Sequence, residues 1–334
     1  MIKMLKNLAK HSIIYGSGTL LSKLLGFILL PIYTRFLTPA DYGILSLLVI
    51  TGSIFAIIAK GGLGSALFRE VIYQESDEST VVSTAFYFLL GESLLFFGVL
   101  IIFSLNISNL IFGTAEYAYL LKLIFLTRLL EVFKVIVLAK LRIREQSKLY
   151  ATLSVLNFSI GALLNIYFIV NLRKGVEGLL IAGLITAGIF AVVSLMLIRR
   201  DLKPSFSISI LNRMLHFGVP LIPAGLSSLL MTSADRYFLQ HFSTTTEVGL
   251  YSIGYKIGLI MNLIVQSVQL AWPAHMFAIA KEPDAEQKFS KMLTYYLVVF
   301  GFIGLVLSVW AREVLTIMTT PKFYAAYTVV PLIL

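Results

Sequence analysis

Long apolar runs recur along the whole chain and are separated by short polar segments. The runs cover residues 12–34, 43–66, 82–105, 118–140, 150–171, 177–198, 213–240, 248–271 and 292–312, and another begins near Tyr324. Each run is about as long as a helix must be to cross a hydrocarbon layer of roughly 30 Å. The pattern therefore predicts an all-α, polytopic membrane protein with at least nine crossings.

Composition excludes most other classes. A chain of 334 residues that is 58% hydrophobic and 13% charged cannot bury that much apolar surface in one soluble core. The first run shows no clear cleavage site, so we expect a retained helix rather than a signal peptide. With no cysteine and four scattered histidines, the chain has no pattern typical of a metal site or a thiolate nucleophile. We expect no metal, no cofactor and no catalytic residues, and therefore not an enzyme.

The net charge of +10 reflects topology rather than nucleic-acid binding. Most basic residues between the runs fall on one side of the membrane if the N-terminus is cytoplasmic. The other side then holds only five, which are Arg35, Arg173, Lys174, Arg312 and Lys322. This asymmetry follows the positive-inside rule and predicts a cytoplasmic N-terminus.

A short internal match indicates a repeat. Residues 36–46 align with residues 242–252 at an offset of 206, and both segments join one predicted span to the next. We therefore expect two pseudo-repeated six-helix lobes, residues 1–205 and 206–334, the second holding spans seven to nine and the start of a tenth. Such a lobe is incomplete, so the expectation is a chain truncated at its C-terminus.

The first span of each predicted lobe is irregular at related positions. Gly16 and Gly18 interrupt the first span, and Pro220 and Pro223 interrupt the seventh. Pro31 adds a second weak point to the first span. Paired interruptions of this kind indicate moving or binding parts of a transporter, although isolated prolines are also common in membrane helices. These five residues are hinge candidates.

Basic residues outnumber acidic ones inside the predicted spans. The basic residues are Lys23, Lys60, Lys122, Arg128, Lys134, Arg236 and Lys256, and the acidic ones are Glu92, Glu131 and Asp235. A charge at the centre of a membrane helix costs roughly 2.5 to 3.5 kcal/mol, so each needs a partner or a water-filled cavity.

Several of these charges have structural explanations. Lys60, Lys122 and Arg236 lie close enough to predicted span ends to reach the interface. Arg128 and Glu131 are three residues apart and can neutralise each other. Lys23 and Lys256 lie deep in their spans without an acidic neighbour on the same helix. We interpret Lys23, Lys256, Arg128, Arg236 and Lys60 as candidate binders of an anionic, phosphate-bearing substrate, and Glu92, Glu131 and Asp235 as candidates for proton or sodium coupling.

Several segments resemble the Wzx-type polysaccharide or O-antigen flippases of the multidrug/oligosaccharidyl-lipid/polysaccharide (MOP) exporter superfamily. The segments begin at His11, at Leu30 with Leu-Pro-Ile-Tyr-Thr-Arg-Phe-Leu-Thr-Pro-Ala-Asp-Tyr-Gly, at Gly62, at Ala234 and at Val248. The likeness covers essentially the whole chain. It implies a MATE-like fold with two six-helix lobes around a central cavity in the bacterial inner membrane.

The resemblance also implies a substrate and a mechanism. The expected substrate is an oligosaccharide on undecaprenyl pyrophosphate, moved from the cytoplasmic to the outer leaflet by alternating access. In related lipid II flippases, cavity arginines lie where this chain has Lys23 and Lys256, so the charge is kept and the bidentate geometry is not. Expected partners are this lipid-linked substrate, membrane lipids and other polysaccharide-assembly membrane proteins, and no nucleic acid.

Three alternatives stay open. A cation-coupled multidrug antiporter of the same superfamily should depend on buried carboxylates, which the cation excess argues against. A lipid II-type peptidoglycan precursor flippase would share the expected anion site. A membrane enzyme such as a glycan polymerase or ligase should carry long outer loops, and the predicted outer loops are short.

Overall fold

The computed structural model describes residues 26–279, 282 and 284–334. Every regular element in this part of the chain is helical, as the apolar pattern predicts. The helices are α1 (Leu30–Phe36), α2 (Pro39–Lys60), α3 (Leu63–Ile72), α4 (Glu78–Ile102), α5 (Ser104–Phe112), α6 (Ala118–Ile143), α7 (Ser147–Ile166), α8 (Gly175–Ile198), α9 (Ile208–Gly218), α10 (Leu221–Ser233), α11 (Asp235–Phe242), α12 (Thr245–Ile279), α13 (Ala285–Val309), α14 (Ala311–Met318) and α15 (Val330–Ile333). A π-helical turn, Tyr167–Asn171, continues α7, and a 3₁₀ segment, Pro321–Thr328, precedes α15. Lys23, Gly16 and Gly18 lie outside the described residues.

Six helical segments of the described chain are long and apolar enough to cross a membrane. They cover residues 39–72, 78–102, 147–171, 175–198, 208–233 and 285–309. Their surfaces carry large apolar side chains: Leu95 and Ile102 of α4, for example, are 73% and 75% exposed. Water would solvate such a surface poorly, whereas lipid covers it readily. The chain is an integral membrane protein.

Two predicted spans are interrupted rather than continuous. The predicted span 43–66 consists of α2 and α3, which together extend to Ile72 and are separated at Gly61 and Gly62. The predicted span 213–240 consists of α9, α10 and α11. The apolar pattern runs through the breaks after Lys60 and after Gly218, where the residues are glycines, a valine and a proline, whereas the break at Ala234 lies between Ser233 and Asp235. Hydropathy therefore locates the segments but not their interruptions.

α6 is the central helix of one compact unit, which contains residues 26–29 and 44–244 of the described chain. It packs against α8, α4 and α3. Phe97, Leu121 and Phe125 are fully buried in the core that α6 shares with α2, α4 and α8. Because lipid is as apolar as these side chains, close van der Waals packing holds the helices together. The packing fixes the position of the charges on α6.

The second compact unit contains residues 30–43 and 245–334. In it, α12 packs against the 3₁₀ segment and α15. A Cβ atom on Gly254 would lie 2.6 Å from the Ala326 carbonyl oxygen, and one on Gly258 would lie 2.7 Å from Cγ2 of Ile333. These two glycines therefore allow close helix packing. The predicted lobe boundary after residue 205 stays a prediction, because grouping by contact does not test a sequence repeat.

The start of α2 is a capping box. Thr38 precedes the helix, and its backbone N–H donates to Oδ2 of Asp41 at 2.8 Å. The Asp41 N–H in turn donates to the Thr38 hydroxyl at 3.2 Å. Pro39 occupies the first helical position, where its missing N–H is not needed. The Thr-Pro-Ala-Asp part of the signature therefore fixes where α2 begins.

Two glycines make matching contacts next to this cap. A side chain on Gly43 would overlap the Thr245 carbonyl oxygen, and one on Gly249 would overlap the Pro39 carbonyl oxygen. Pro39 and Thr245 differ by 206 in number, and so do Gly43 and Gly249. The sequence offset therefore also relates this pair of contacts. The six-helix repeat as a whole stays a prediction.

Candidate functional site

The middle of α6 carries three charged residues on one side of the helix. Arg128, Glu131 and Lys134 are spaced at i, i+3 and i+6. At a rise of about 1.5 Å per residue, Glu131 lies about 20 Å from the start of α6 and about 18 Å from its end. The charges are thus far from both ends of a helix of membrane-spanning length.

Glu131 is bound between the two basic residues of its own helix. Its Oε2 accepts a hydrogen bond from Nη1 of Arg128 at 2.7 Å. Its Oε1 lies 3.7 Å from Nζ of Lys134. Nη2 of Arg128 also donates to the Ser53 hydroxyl on α2 at 3.4 Å. The i, i+3 pair that the sequence allows is therefore formed, and Lys134 and Ser53 join it.

The guanidinium of Arg128 lies directly against the backbone of α2. A Cβ atom on Gly52 would lie 3.2 Å from Nε of Arg128 and 3.0 Å from Cγ1 of Ile124. Nε is buried and has no hydrogen-bond partner among the described residues. Gly52 therefore provides the space in which Arg128 reaches Ser53.

Lys60 adds a third positive charge to this group. It is the last residue of α2 and interacts electrostatically with Glu131, Arg128 and Lys134. The apolar segment 39–72 continues for twelve residues beyond Lys60, and whether this side chain reaches the membrane interface stays a prediction. We call Lys60, Arg128, Glu131 and Lys134 the α6 charge cluster. It contains three cations and one carboxylate.

Lys60 is followed directly by the break between α2 and α3. Gly61 and Gly62 have φ values of 54° and 66°, in the left-handed region that favours glycine. A side chain on Gly62 would overlap the carbonyl oxygen of Gly218, and one on Gly218 would overlap the carbonyl oxygen of Gly61. Gly218 is the last residue of α9, where the second interrupted segment breaks. The two interrupted segments therefore cross with their backbones in contact at the breaks.

The prolines predicted as hinges occupy distinct places. Pro220 lies between α9 and α10 at this crossing, and Pro223 lies in the first turn of α10. Pro31 is the second residue of α1. At helix starts the missing N–H of proline leaves no intrahelical bond unmade. Motion at these residues stays a prediction.

Beyond the crossing, interactions of charged residues also connect α3 with α9. Glu70 of α3 is buried and accepts hydrogen bonds from Nε of Arg213 on α9 at 2.9 Å and from the Ser76 hydroxyl at 3.0 Å. The guanidinium of Arg69 lies 4.9 Å from the centre of the Phe217 ring. Sequence reasoning counted Arg69 and Arg213 only as topology signals and missed Glu70. The sequence could have indicated Glu70, because it is a carboxylate near the end of the long apolar segment 39–72.

Asp235 and Arg236 form no salt bridge with the α6 charge cluster and pair with each other. Nη1 of Arg236 donates to the Thr232 carbonyl oxygen at 2.8 Å and lies 3.3 Å from Oδ1 of Asp235. Next to this pair, the Tyr237 hydroxyl is 2.8 Å from the Thr51 hydroxyl of α2. The local compensation that the sequence allows is present. The contact between Tyr237 and Thr51 joins α11 to α2.

Glu92 and Lys256 are the remaining predicted residues that the structure describes. Glu92, on α4, accepts a hydrogen bond from the hydroxyl of Ser93 at 3.3 Å. Lys256 is half-buried on α12, between Gly254 and Gly258, and forms no salt bridge with any described residue. Their roles, like that of Lys23, stay predictions.

A charge network lies outside the membrane-spanning segments of the first unit. Nη2 of Arg144 lies 2.7 Å from Oδ1 of Asp201, and its Nε lies 2.8 Å from Oε1 of Glu78. Lys140 also binds Asp201. Partial burial alone would raise the pKa of Asp201, but the hydrogen bonds and charges of Lys140 and Arg144 outweigh it and lower that pKa. The network joins the ends of α4, α6 and α8.

Comparison with known proteins gives consistent findings. A family profile described as "Polysaccharide biosynthesis protein" matches residues 32–328. The chain is 25% identical over 326 residues to Lsg locus putative protein 1 of Haemophilus influenzae. The aligned region covers 94% of this chain and 77% of that protein. It is also 25% identical over 246 residues to the succinoglycan biosynthesis transport protein ExoT of Rhizobium meliloti. That alignment covers 73% of this chain and 48% of ExoT.

Solved structures share the fold. An outward-facing multidrug resistance MATE family transporter of the MOP superfamily superposes with a TM-score of 0.64 at 18% identity, over 98% of this chain and 76% of that one. A MOP superfamily transporter from Pyrococcus furiosus superposes with a TM-score of 0.57 at 16% identity, over 97% and 76%. That transporter is described as having a binding pocket of reverse polarity, which suggests a different function for it. The fold is MATE-like, as the resemblance implies.

Proposed function

Because this chain belongs to the polysaccharide biosynthesis protein family of MOP-superfamily transporters, we propose that it flips an undecaprenyl-pyrophosphate-linked oligosaccharide. The substrate moves from the cytoplasmic to the outer leaflet of the bacterial inner membrane, with the N-terminus of the protein in the cytoplasm. A chain of this family is a transporter and not an enzyme. Its fold alone does not select this substrate, since multidrug transporters share it.

The observation that carries the proposal is the sign of the α6 charge cluster. Three cations share one carboxylate near the middle of a helix of membrane-spanning length. An excess of positive charge suits the pyrophosphate of a lipid carrier and repels a cationic drug. Arg128 can bind phosphate oxygens in a fork, and the two lysines act as point charges. The reverse pocket polarity of the Pyrococcus furiosus transporter indicates that this fold accommodates different charges.

The interrupted segments support alternating access. Discontinuous membrane helices allow parts of a transporter to reorient about a fixed site. Here the break after Lys60 places one such interruption next to the cluster. We propose that the segments reorient at Gly61, Gly62 and Pro220 while the cluster holds the pyrophosphate. Proton or sodium coupling through Glu92, Glu131 or Asp235 is part of the same proposal.

A genetic test separates this proposal from drug export. In a strain lacking the gene, a lipid-linked oligosaccharide should accumulate in the inner membrane, and mass spectrometry of the lipid extract should identify its glycan. The wild-type gene should remove the accumulation, and Arg128→Gln or Lys60→Gln should not. Lys122→Gln is the matched control, because Lys122 is an exposed cation on the same helix outside the cluster. Loss of tolerance to cationic dyes without any accumulated lipid would contradict the proposal.

A further inference from the structure

Glu131 occupies the place that an anionic ligand would take in the α6 charge cluster. Its two carboxylate oxygens face different cations, Oε2 that of Arg128 and Oε1 that of Lys134. Lys60, the last residue of α2, interacts electrostatically with the same carboxylate but forms no salt bridge with it. Arg128, Lys134 and Lys60 are the charged groups among the described residues that act on Glu131. A phosphate group would present the same features, oxygen atoms and negative charge, to the same side chains.

The charged side chains of α6 are partly exposed. The side chains of Arg128, Glu131 and Lys134 are 18%, 22% and 31% exposed, whereas Arg236, which is paired with its own neighbour, is 9% exposed. Charged atoms that faced lipid near the middle of a membrane helix would be costly. We therefore expect the exposed atoms of the cluster to meet water or a polar ligand.

Glu131 should compete only weakly with a pyrophosphate for Arg128 and Lys134. It carries one negative charge, and its ion pair with Lys134 is long. A pyrophosphate carries more charge and more acceptor oxygens and can bind Arg128 in a bidentate way. Glu131 nevertheless stays tethered three residues from Arg128, so it remains available whenever a ligand leaves.

We propose that Glu131 is an internal counter-anion, which the pyrophosphate of the lipid-linked substrate displaces from Arg128 on binding. The inference rests on the proposed function. Without substrate, Glu131 balances part of the repulsion among the three cations. During release, Glu131 forms its ion pair with Arg128 again. This ion pair weakens the binding of the departing phosphate. Glu131 thereby limits affinity and favours turnover, a compromise that transport requires because tight binding prevents exit.

The counter-anion role predicts opposite changes in binding and transport. Glu131→Gln removes the competing charge, so affinity for a pyrophosphate should rise about fivefold, as expected for a partly exposed ion pair. Flipping should become slower, since release loses its competitor. If Glu131 had a purely structural role, its replacement would lower both the affinity for pyrophosphate and the rate of flipping. A binding measurement therefore distinguishes the two roles.

The test uses the full-length protein in lipid nanodiscs, titrated with inorganic pyrophosphate and followed by microscale thermophoresis. Glu131→Gln should bind about fivefold more tightly than wild type. Glu177→Gln, which removes a carboxylate of α8 outside the cluster, should bind as wild type does. Glu131→Asp shortens the side chain and should give an intermediate affinity, so the inference remains testable if the glutamine variant misfolds.

Two results have separate meanings. Unchanged or weaker binding by both Glu131 variants, together with weaker binding by Arg128→Gln, would overturn the counter-anion role and leave the proposed substrate site intact. Unchanged binding by Arg128→Gln would instead overturn the substrate site in the α6 charge cluster, and the counter-anion role with it. A size-exclusion profile like that of wild type shows for each variant that binding was measured on folded protein.

Discussion

The crossing of the two interrupted segments gives the sharpest stability prediction, which compares Gly62→Ala with Gly61→Ala. Both glycines have positive φ, so either alanine is destabilised by about 1 to 2 kcal/mol in a left-handed conformation. Of the two Cβ positions, only that of Gly62 faces another backbone. A Cβ atom there would overlap the Gly218 carbonyl oxygen and lie 2.8 Å from its carbonyl carbon, whereas a Cβ atom on Gly61 meets no described atom within 4 Å.

The geometry sets the expected difference between the two variants. Non-bonded carbon atoms approach to about 3.5 Å, so the 2.8 Å contact with the carbonyl carbon needs a shift of about 0.7 Å between the two backbones, and the overlap with the carbonyl oxygen needs a larger one. Such overpacking costs about 1 to 3 kcal/mol, and it is present only in Gly62→Ala. For a unit of this size, each kcal/mol corresponds to about 2 to 4 °C in Tm.

Differential scanning fluorimetry in one detergent measures this difference. Gly62→Ala should melt below Gly61→Ala, and Gly218→Ala should also be destabilised, because its Cβ would overlap the Gly61 carbonyl oxygen. Equal melting temperatures for the two alanine variants at positions 61 and 62 would refute the close crossing of the segments.

Three further predictions follow from other contacts. Gly249→Ala should destabilise the protein by about 1 to 3 kcal/mol through overlap with a carbonyl oxygen, whereas Gly304→Ala, where a Cβ meets none of the described atoms within 4 Å, should be neutral in the same thermal scan. Glu70→Gln should lower Tm, because it weakens a buried acceptor of three hydrogen bonds; a wild-type Tm would show that α3 and α9 do not depend on this carboxylate. Asp201 has a lowered pKa in the folded state, so its stabilising effect is fully present above the unfolded pKa of about 4 and is lost as pH falls below it. The Tm difference between wild type and Asp201→Asn should therefore be constant at neutral pH and shrink below about pH 4, and a difference that grows on acidification would contradict the assignment.

The helices themselves follow from the sequence because each is set by a local pattern. The predicted runs 82–105 and 177–198 lie within a few residues of α4 (Glu78–Ile102) and α8 (Gly175–Ile198). Uninterrupted apolar residues of the right length leave a membrane helix as the only regular structure that satisfies the backbone. The Arg128 and Glu131 pair is equally local, since i, i+3 spacing places both on one helix face.

The helix breaks at Gly61, Gly62 and Gly218 and the complete α6 charge cluster cannot be predicted from the sequence. They depend on contacts between segments that are distant along the chain. Gly61 and Gly62 lie within a continuous apolar run, and only their contact with Gly218 shows why glycine is needed there. The electrostatic interaction of Lys60 on α2 with Glu131 on α6 likewise depends on how the two helices pack, which no local pattern indicates. The capping box at Thr38 is the opposite case: its spacing is visible in the sequence, yet it was interpreted only as part of a family signature.

The most direct test of the central claim is a flipping measurement with the purified full-length protein in proteoliposomes. The substrate is a fluorescent undecaprenyl-pyrophosphate-linked oligosaccharide, and a membrane-impermeant quencher reports the fraction in the outer leaflet. Wild type and Lys122→Gln should move the lipid to the opposite leaflet, whereas Arg128→Gln should not. Movement by Arg128→Gln at the wild-type rate, or none by wild type, would contradict transport of a pyrophosphate-linked glycan through the α6 charge cluster.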